Sequence, residues 1–207
     1  LIDGKTVIMY PEAGHQDKRW LGTFSFGYTK MAFEAAELGN FEKDVVILPA
    51  CNHYSHYFGM RNRVLVKFGT PISIQPYYEL YKTKPRTVQR EVNKLVREQI
   101  SNLMLDIRDL DNYQAIDFIR TTYGTDYAKA KGIDPNDLPE RLLVDKELVA
   151  KLDEAKNNDE AGVNELYKEA RLLKQGIDEL GITDDHLKQG VNPVTLGFKL
   201  LLLLMLL

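Results

Sequence analysis

Thr6-Val7-Ile8-Met9-Tyr10-Pro11-Glu12-Ala13-Gly14-His15 is the stretch on which the fold of this 207-residue chain turns. Its first five residues form an apolar run with β-branched members, which predicts a strand buried on both faces, and Pro11 stops it. Glu12 and His15 set a carboxylate and an imidazole three residues apart at the C-terminal end of that strand, where α/β sheets build sites. Beyond the polar loop of residues 12–22, Thr23 and Ser25 are candidate caps for a helix over residues 26–38. Its stripe is Met31, Ala32, Ala35 and Leu38, and Gly39 and Asn40 end it. Residues 45–48 predict a second buried strand, closed by Pro49. Residues 62–68 alternate, with Val64, Val66 and Phe68 on one face and Arg63, Leu65 and Lys67 on the other, before Gly69, Thr70 and Pro71 turn the chain. The class is α/β, a sheet flanked by helices. Three strands make a thin sheet for this much apolar sequence, and the expectation is that more strands lie upstream.

From Pro85 the period becomes helical. Val88, Val92, Leu95, Val96, Leu103 and Ile107 describe one amphipathic helix over residues 87–107. Further helices are predicted over residues 113–123, 139–156 (Leu142, Val149, Leu152) and 160–180 (Val163, Leu166, Ala170, Leu173, Leu180). The chain divides on this reading into an α/β part over residues 1–84, a charged helical extension over 85–190, and a linker with an apolar segment over 191–207. The extension reads as a solvated cap or lid without chemistry of its own. Leu200 to Leu207 are unbroken Leu and Met, which predicts the start of a C-terminal transmembrane helix, since a span needs about 20 apolar residues. Burial of that run against the helical unit is the alternative. With Leu at position 1, the chain reads as a piece of a longer one.

Charge excludes one class of partner. The net charge is -3, with basic and acidic residues interleaved throughout, so there is no clustered basic face for nucleic acid. Fourteen of the twenty aromatic residues lie at or before Tyr81, which points to the first third for a core and a pocket. Cys51 is alone and can form no intrachain disulfide, which fits a reducing compartment. Cys51, His53 and His56 have the spacing of a metal cluster, but a site needs three or four converging ligands. Residues 52–57 read more simply as a polar rim after the second strand. Gly22-Thr23-Phe24-Ser25-Phe26-Gly27 fails as a nucleophile elbow because Thr23 stands where Gly-x-Ser-x-Gly needs its first Gly.

Three linked motifs in the first 80 residues resemble the glycerolipid acyltransferase family, whose best-known members are the 1-acylglycerol-3-phosphate acyltransferases. The first is Val7-Ile8-Met9-Tyr10-Pro11-Glu12 followed by Gly22, Phe24, Gly27, Met31 and Ala32. Next come Val45-Val46-Ile47-Leu48-Pro49 and then Val64-Leu65-Val66-Lys67-Phe68-Gly69-Thr70-Pro71-Ile72. The resemblance implies that Glu12 organises the phosphate site of the acyl acceptor by orienting donors. Ala13 stands where the family has Gly, with Gly14 following it, and His15 stands where the family has Arg, although imidazole lacks the bidentate fork of guanidinium. Lys18, Arg19 or the helix N-terminus near Gly27 would then supply positive potential.

The family's catalytic His-x-x-x-x-Asp is absent. Five residues after His15, His53, His56 and His186 stand Trp20, Phe58, Arg61 and Val191. In the family that motif precedes the Pro-Glu motif, so the catalytic pair is expected upstream of Leu1, leaving this fragment inactive by itself. The resemblance implies an O-acyltransferase without metal or other cofactor. It would move a fatty acyl group from acyl-CoA or acyl carrier protein to a lysophosphatidate-like hydroxyl in phospholipid biosynthesis. The setting implied is the cytoplasmic face of a bacterial inner membrane. A non-catalytic lipid-binding module on a degenerate acyltransferase core is the alternative.

Overall fold

The computed structural model describes residues 4–12, 14, 17–57 and 62–181. It is a mixed α and β fold with small antiparallel pairs in place of the layered sheet. Helix α1 (Gly27–Leu38) leads to β1 (Val46–Ile47), β2 (Ala50–Tyr54), β3 (Val64–Phe68) and β4 (Ile72–Ser73). Helices α2 (Tyr78–Thr83), α3 (Pro85–Leu103), α4 (Tyr113–Ala130), α5 (Leu138–Asn158) and α6 (Glu160–Glu179) follow. Strands β1 and β4 pair antiparallel, Val46 opposite Ser73, and β2 and β3 pair antiparallel from Ala50 opposite Phe68 to Tyr54 opposite Val64.

The expected first strand does not form. Residues 6–10 are exposed, Ile8 and Tyr10 to 80% and 81%, and the nearest pairing is a single bridge between Glu12 and Phe24. An apolar run becomes a buried strand only where neighbours take its N–H and C=O groups and cover its faces. Among the described residues nothing does so. Conversely β2, expected as a polar rim, is a strand because β3 supplies its ladder. Val64, Val66 and Phe68 do share a face, but it is the exposed one, and Leu65 on the other face packs inward.

Neither Thr23 nor Ser25 caps α1, whose N-cap is Phe26 without a side-chain bond. The stripe of α1 is turned from the expected one: Tyr28, Thr29, Ala32, Phe33 and Ala36 are buried, while Met31 and Leu38 are exposed. The long helices follow their periodicity more closely. Helix α5 starts where Asp137 accepts the Glu140 N–H at 3.2 Å, with Pro139 in the first turn, and α6 where Asp159 accepts the Gly162 N–H at 3.0 Å.

Two cores result. The first packs α1, α2 and α3 around Phe33, with Val88, Val92 and Val96 of α3 fully inside it. The second packs α4, α5 and α6 around Tyr167, together with Leu105 and Ile107. Helix α3 therefore belongs with the first core, and the packing divides near Met104, twenty residues after the boundary expected at 84. Ile107 lies beyond the end of α3, in an extended segment that crosses to the second core. Each buried Val of α3 contributes roughly 1.5–3 kcal/mol relative to an exposed one. Among the described residues no helix is long and apolar enough to cross a membrane, and the expected apolar segment at residues 191–207 lies outside them.

Candidate acceptor-loop site

Glu12 and the backbone it holds form the centre of the candidate site. Pro11 and Glu12 lie antiparallel to the segment that enters α1: the Ser25 N–H donates to the Pro11 carbonyl at 2.9 Å, and Glu12 bridges to Phe24. The Glu12 Oε1 accepts the Gly22 N–H at 2.5 Å. A Cβ at position 22 would sit 3.0 Å from that oxygen, so glycine lets the carboxylate close on the backbone. Glu12 thus orients a main-chain loop.

Three side chains from beyond residue 84 hold the other side of this loop. The Arg97 guanidinium donates to the Gly22 carbonyl at 2.7 Å and to the Leu21 carbonyl at 3.0 Å, and lies 6.0 Å over the Phe24 ring. Asp106 accepts the Leu21 N–H at 3.0 Å and is itself held by Ser101 Oγ at 2.8 Å and Arg108 Nε at 3.1 Å. Tyr113 accepts the Arg19 N–H at 2.8 Å through its hydroxyl. Sequence reasoning missed all three, because a polar residue beside an amphipathic stripe, such as Arg97 next to Val96, carries no local mark of its partner.

The other expected site residues divide. Gly14 is exposed, and Gly27 is the exposed first residue of α1. His15 lies outside the described residues. Lys18 is exposed, with its Nζ 5.4 Å over the Tyr113 ring. Arg19, expected as a donor to an anion, is 5% exposed and turned inward. Its guanidinium donates to the Tyr54 carbonyl at 3.1 Å, the Ser55 carbonyl at 3.3 Å and His53 Nδ1 at 3.4 Å, and its Nε lies 4.0 Å from Asp117. Burial, and then the charge of Arg120, lower its pKa. Loop carbonyls and a neighbouring carboxylate surround the fork, so Arg19 serves as a clamp in this structure.

Cys51 and His53 point to one face of β2. Burial pushes the Cys51 thiol up to about 11, and burial with the Arg19 charge pushes His53 down to about 4. At neutral pH His53 is an uncharged acceptor for Arg19, and a guanidinium alongside opposes the imidazolium that a general base must become. His56 lies in the exposed turn after β2.

Over 108 residues, 52% of the chain, the sequence is 31% identical to an uncharacterized acyltransferase of Schizosaccharomyces pombe. Over 118 residues, 56% of the chain, it is 28% identical to glycerol-3-phosphate O-acyltransferase 2 of Saccharomyces cerevisiae. Both relatives are named as acyltransferases. The family they support is that of the glycerolipid acyltransferases, the one its three linked motifs resemble. The matched stretches span 15% and 16% of those relatives' own length, and both relatives are from yeasts, so neither speaks for a bacterial origin. No family model and no solved structure matches.

Proposed function

We propose that the complete protein transfers a fatty acyl group from a thioester, acyl-CoA or acyl carrier protein, to a hydroxyl of a glycerol-phosphate acceptor such as lysophosphatidate. The acceptor oxygen attacks the thioester carbonyl carbon, the thiolate leaves, and the hydroxyl proton passes to a base and then to the departing sulfur. No His-x-x-x-x-Asp occurs in the 207 residues, so this reading assigns to the chain the acceptor loop and not the base. The observation that carries it is Glu12 fastened to the Gly22 N–H, which ties the Pro-Glu motif to the entry of α1. Held this way, the loop presents Gly27 and the N-terminus of a twelve-residue helix, whose partial positive charge suits a phosphate, and Lys18 is an exposed cation on the same loop. A relative named for glycerol 3-phosphate supports an acceptor of that chemistry. The acylated product is a lipid, since each buried CH₂ of the chain adds about 0.8 kcal/mol of membrane affinity, and the reaction belongs at a membrane surface.

The test is an acyl-transfer assay of the complete protein with both thioesters, offering glycerol 3-phosphate and lysophosphatidate in parallel. Glu12→Ala is expected to lower kcat/KM for the acceptor by about tenfold or more, the effect of losing about 1.4 kcal/mol in the transition state. Unchanged transfer rejects the assignment of Glu12. Lysolipid binding with no transfer to either acceptor replaces the enzyme reading with a lipid-binding one.

A further inference from the structure

We propose that Arg97 is a positioning residue for Glu12, acting through one peptide plane. This rests on the acyltransferase reading of the Glu12 loop for its kinetic consequence, but its geometry stands on the structure alone.

The Leu21 carbonyl and the Gly22 N–H belong to the same peptide unit, which is planar and rigid. Arg97 donates to that carbonyl at 3.0 Å, and Glu12 accepts from that N–H at 2.5 Å. In a trans peptide the two groups point in opposite directions, so guanidinium and carboxylate grip opposite edges of one plate. Rotation of the plate that frees one side turns the other away. The second arm of the fork, 2.7 Å from the Gly22 carbonyl, fixes the following plane as well. Asp106 on the Leu21 N–H fixes the preceding one. Leu21 is 2% exposed and Gly22 is buried, so water is a poor substitute for these partners.

Helix α3 makes the grip stiff. Val92 and Val96, which precede Arg97 along the helix, are anchored in the first core, and Arg97 reaches the loop from that fixed base. Two successive carbonyls need two donors in a planar fork, which Arg supplies and Lys does not. The role differs from that of Arg19, whose guanidinium holds β2 and the turn after it. Arg97 acts on the loop bearing the acceptor residue, so its loss is expected to weaken acceptor recognition and leave donor recognition alone.

In the complete protein, Arg97→Met is expected to raise acceptor KM by about tenfold, as loss of hydrogen bonds from a charged donor implies. Donor KM and kcat should stay near wild type. Arg97→Lys, with a single nitrogen and no planar fork for two carbonyls, should fall between. Combined with Glu12→Ala, Arg97→Met should add little further loss, because both act on one plate. Equal acceptor KM in wild type and Arg97→Met overturns the proposal, as does a parallel rise in donor KM. If Arg97→Met does not fold, Arg97→Lys decides by the same split of acceptor against donor KM. If wild type transfers no acyl group, the function reading fails separately, and hydrogen exchange at the Gly22 amide decides this one. Faster exchange there in Arg97→Lys, with α4 to α6 unchanged, supports positioning, and equal exchange overturns it.

Discussion

His53 shows how a residue's chemistry is set by what folds over it. It is 6% exposed with Arg19 against Nδ1, and burial, then Arg19, push its pKa from 6.5 down to about 4, with Arg120 and Lys67 adding to this and Asp145 opposing it. The unfolded chain therefore binds a proton that the folded chain refuses between pH 6.5 and 4. Stability is whole above pH 6.5 and is lost as pH falls through that window, by an amount on the order of 3 kcal/mol at its foot. His53→Gln, which cannot titrate, is expected to flatten that part of the curve. Urea unfolding of both proteins from pH 4 to 7 measures it, and parallel curves would exclude His53 as the source. In the sequence, His53 offered only its place in a Cys-x-His-x-x-His spacing, since burial is a product of the fold and Arg19 is 34 residues away.

At the scale of elements, α4 and α5 are joined by a buried ion network. Asp145, 2% exposed, accepts Arg120 and Arg141 at 2.7 Å each, and Arg141 also donates to the Arg120 carbonyl at 2.9 Å and to Thr125 at 3.0 Å. Gly124 is what lets the helices approach, because a Cβ there would lie 2.6 Å from Arg141 Nη2 and 3.3 Å from Asp145 Oδ1. Replacing a mid-helix glycine by alanine normally gains about 1 kcal/mol of helix propensity. Here the displaced guanidinium loses charged hydrogen bonds worth about 1.5–3 kcal/mol each, so Gly124→Ala is expected to be net destabilising by about 1 kcal/mol or more. A lower urea midpoint at unchanged slope checks it, and a higher midpoint rejects it. Gly69 does similar work in the Phe68-Gly69-Thr70-Pro71-Ile72 motif: a Cβ would meet Gln99 at 2.6 Å, Pro49 at 3.3 Å and Leu103 at 3.4 Å. That motif can be read from sequence, but its reason, the close approach of α3, cannot.

For the molecule as a whole, the question is what joins two cores into one body. Leu65 of β3 packs on the second core, the Ile107 N–H donates to the Arg19 carbonyl at 2.7 Å, and the Arg19 side chain lies between β2 and Asp117 of α4. Trp20, the single tryptophan of the chain, follows Arg19 directly and reports on this junction. Arg19→Met is expected to lower the urea midpoint followed by Trp20 fluorescence by the equivalent of about 2 kcal/mol, ahead of the helical circular-dichroism signal. In wild type the two signals should coincide. Coincident, unshifted curves in Arg19→Met would show that the clamp contributes nothing to coupling.

The sequence alone determined the elements whose causes are local. Periodicity located α3, α5 and α6 within a few residues, and Pro11-Glu12 with Phe68-Gly69-Thr70-Pro71-Ile72 carried the resemblance to the acyltransferases. Only the tertiary structure decided which apolar runs are strands, because a strand exists through hydrogen bonds to a partner, and residues 6–10 have none among the described residues while Ala50–Tyr54 found β3. It also decided the fate of the arginines. In sequence Arg19 reads as an anion donor beside the Pro-Glu motif and Arg97 as an ordinary helix charge. The fold turns one beneath the loop as a clamp and brings the other 75 residues back to hold the peptide that Glu12 binds, because a guanidinium is defined by the carbonyls within its reach.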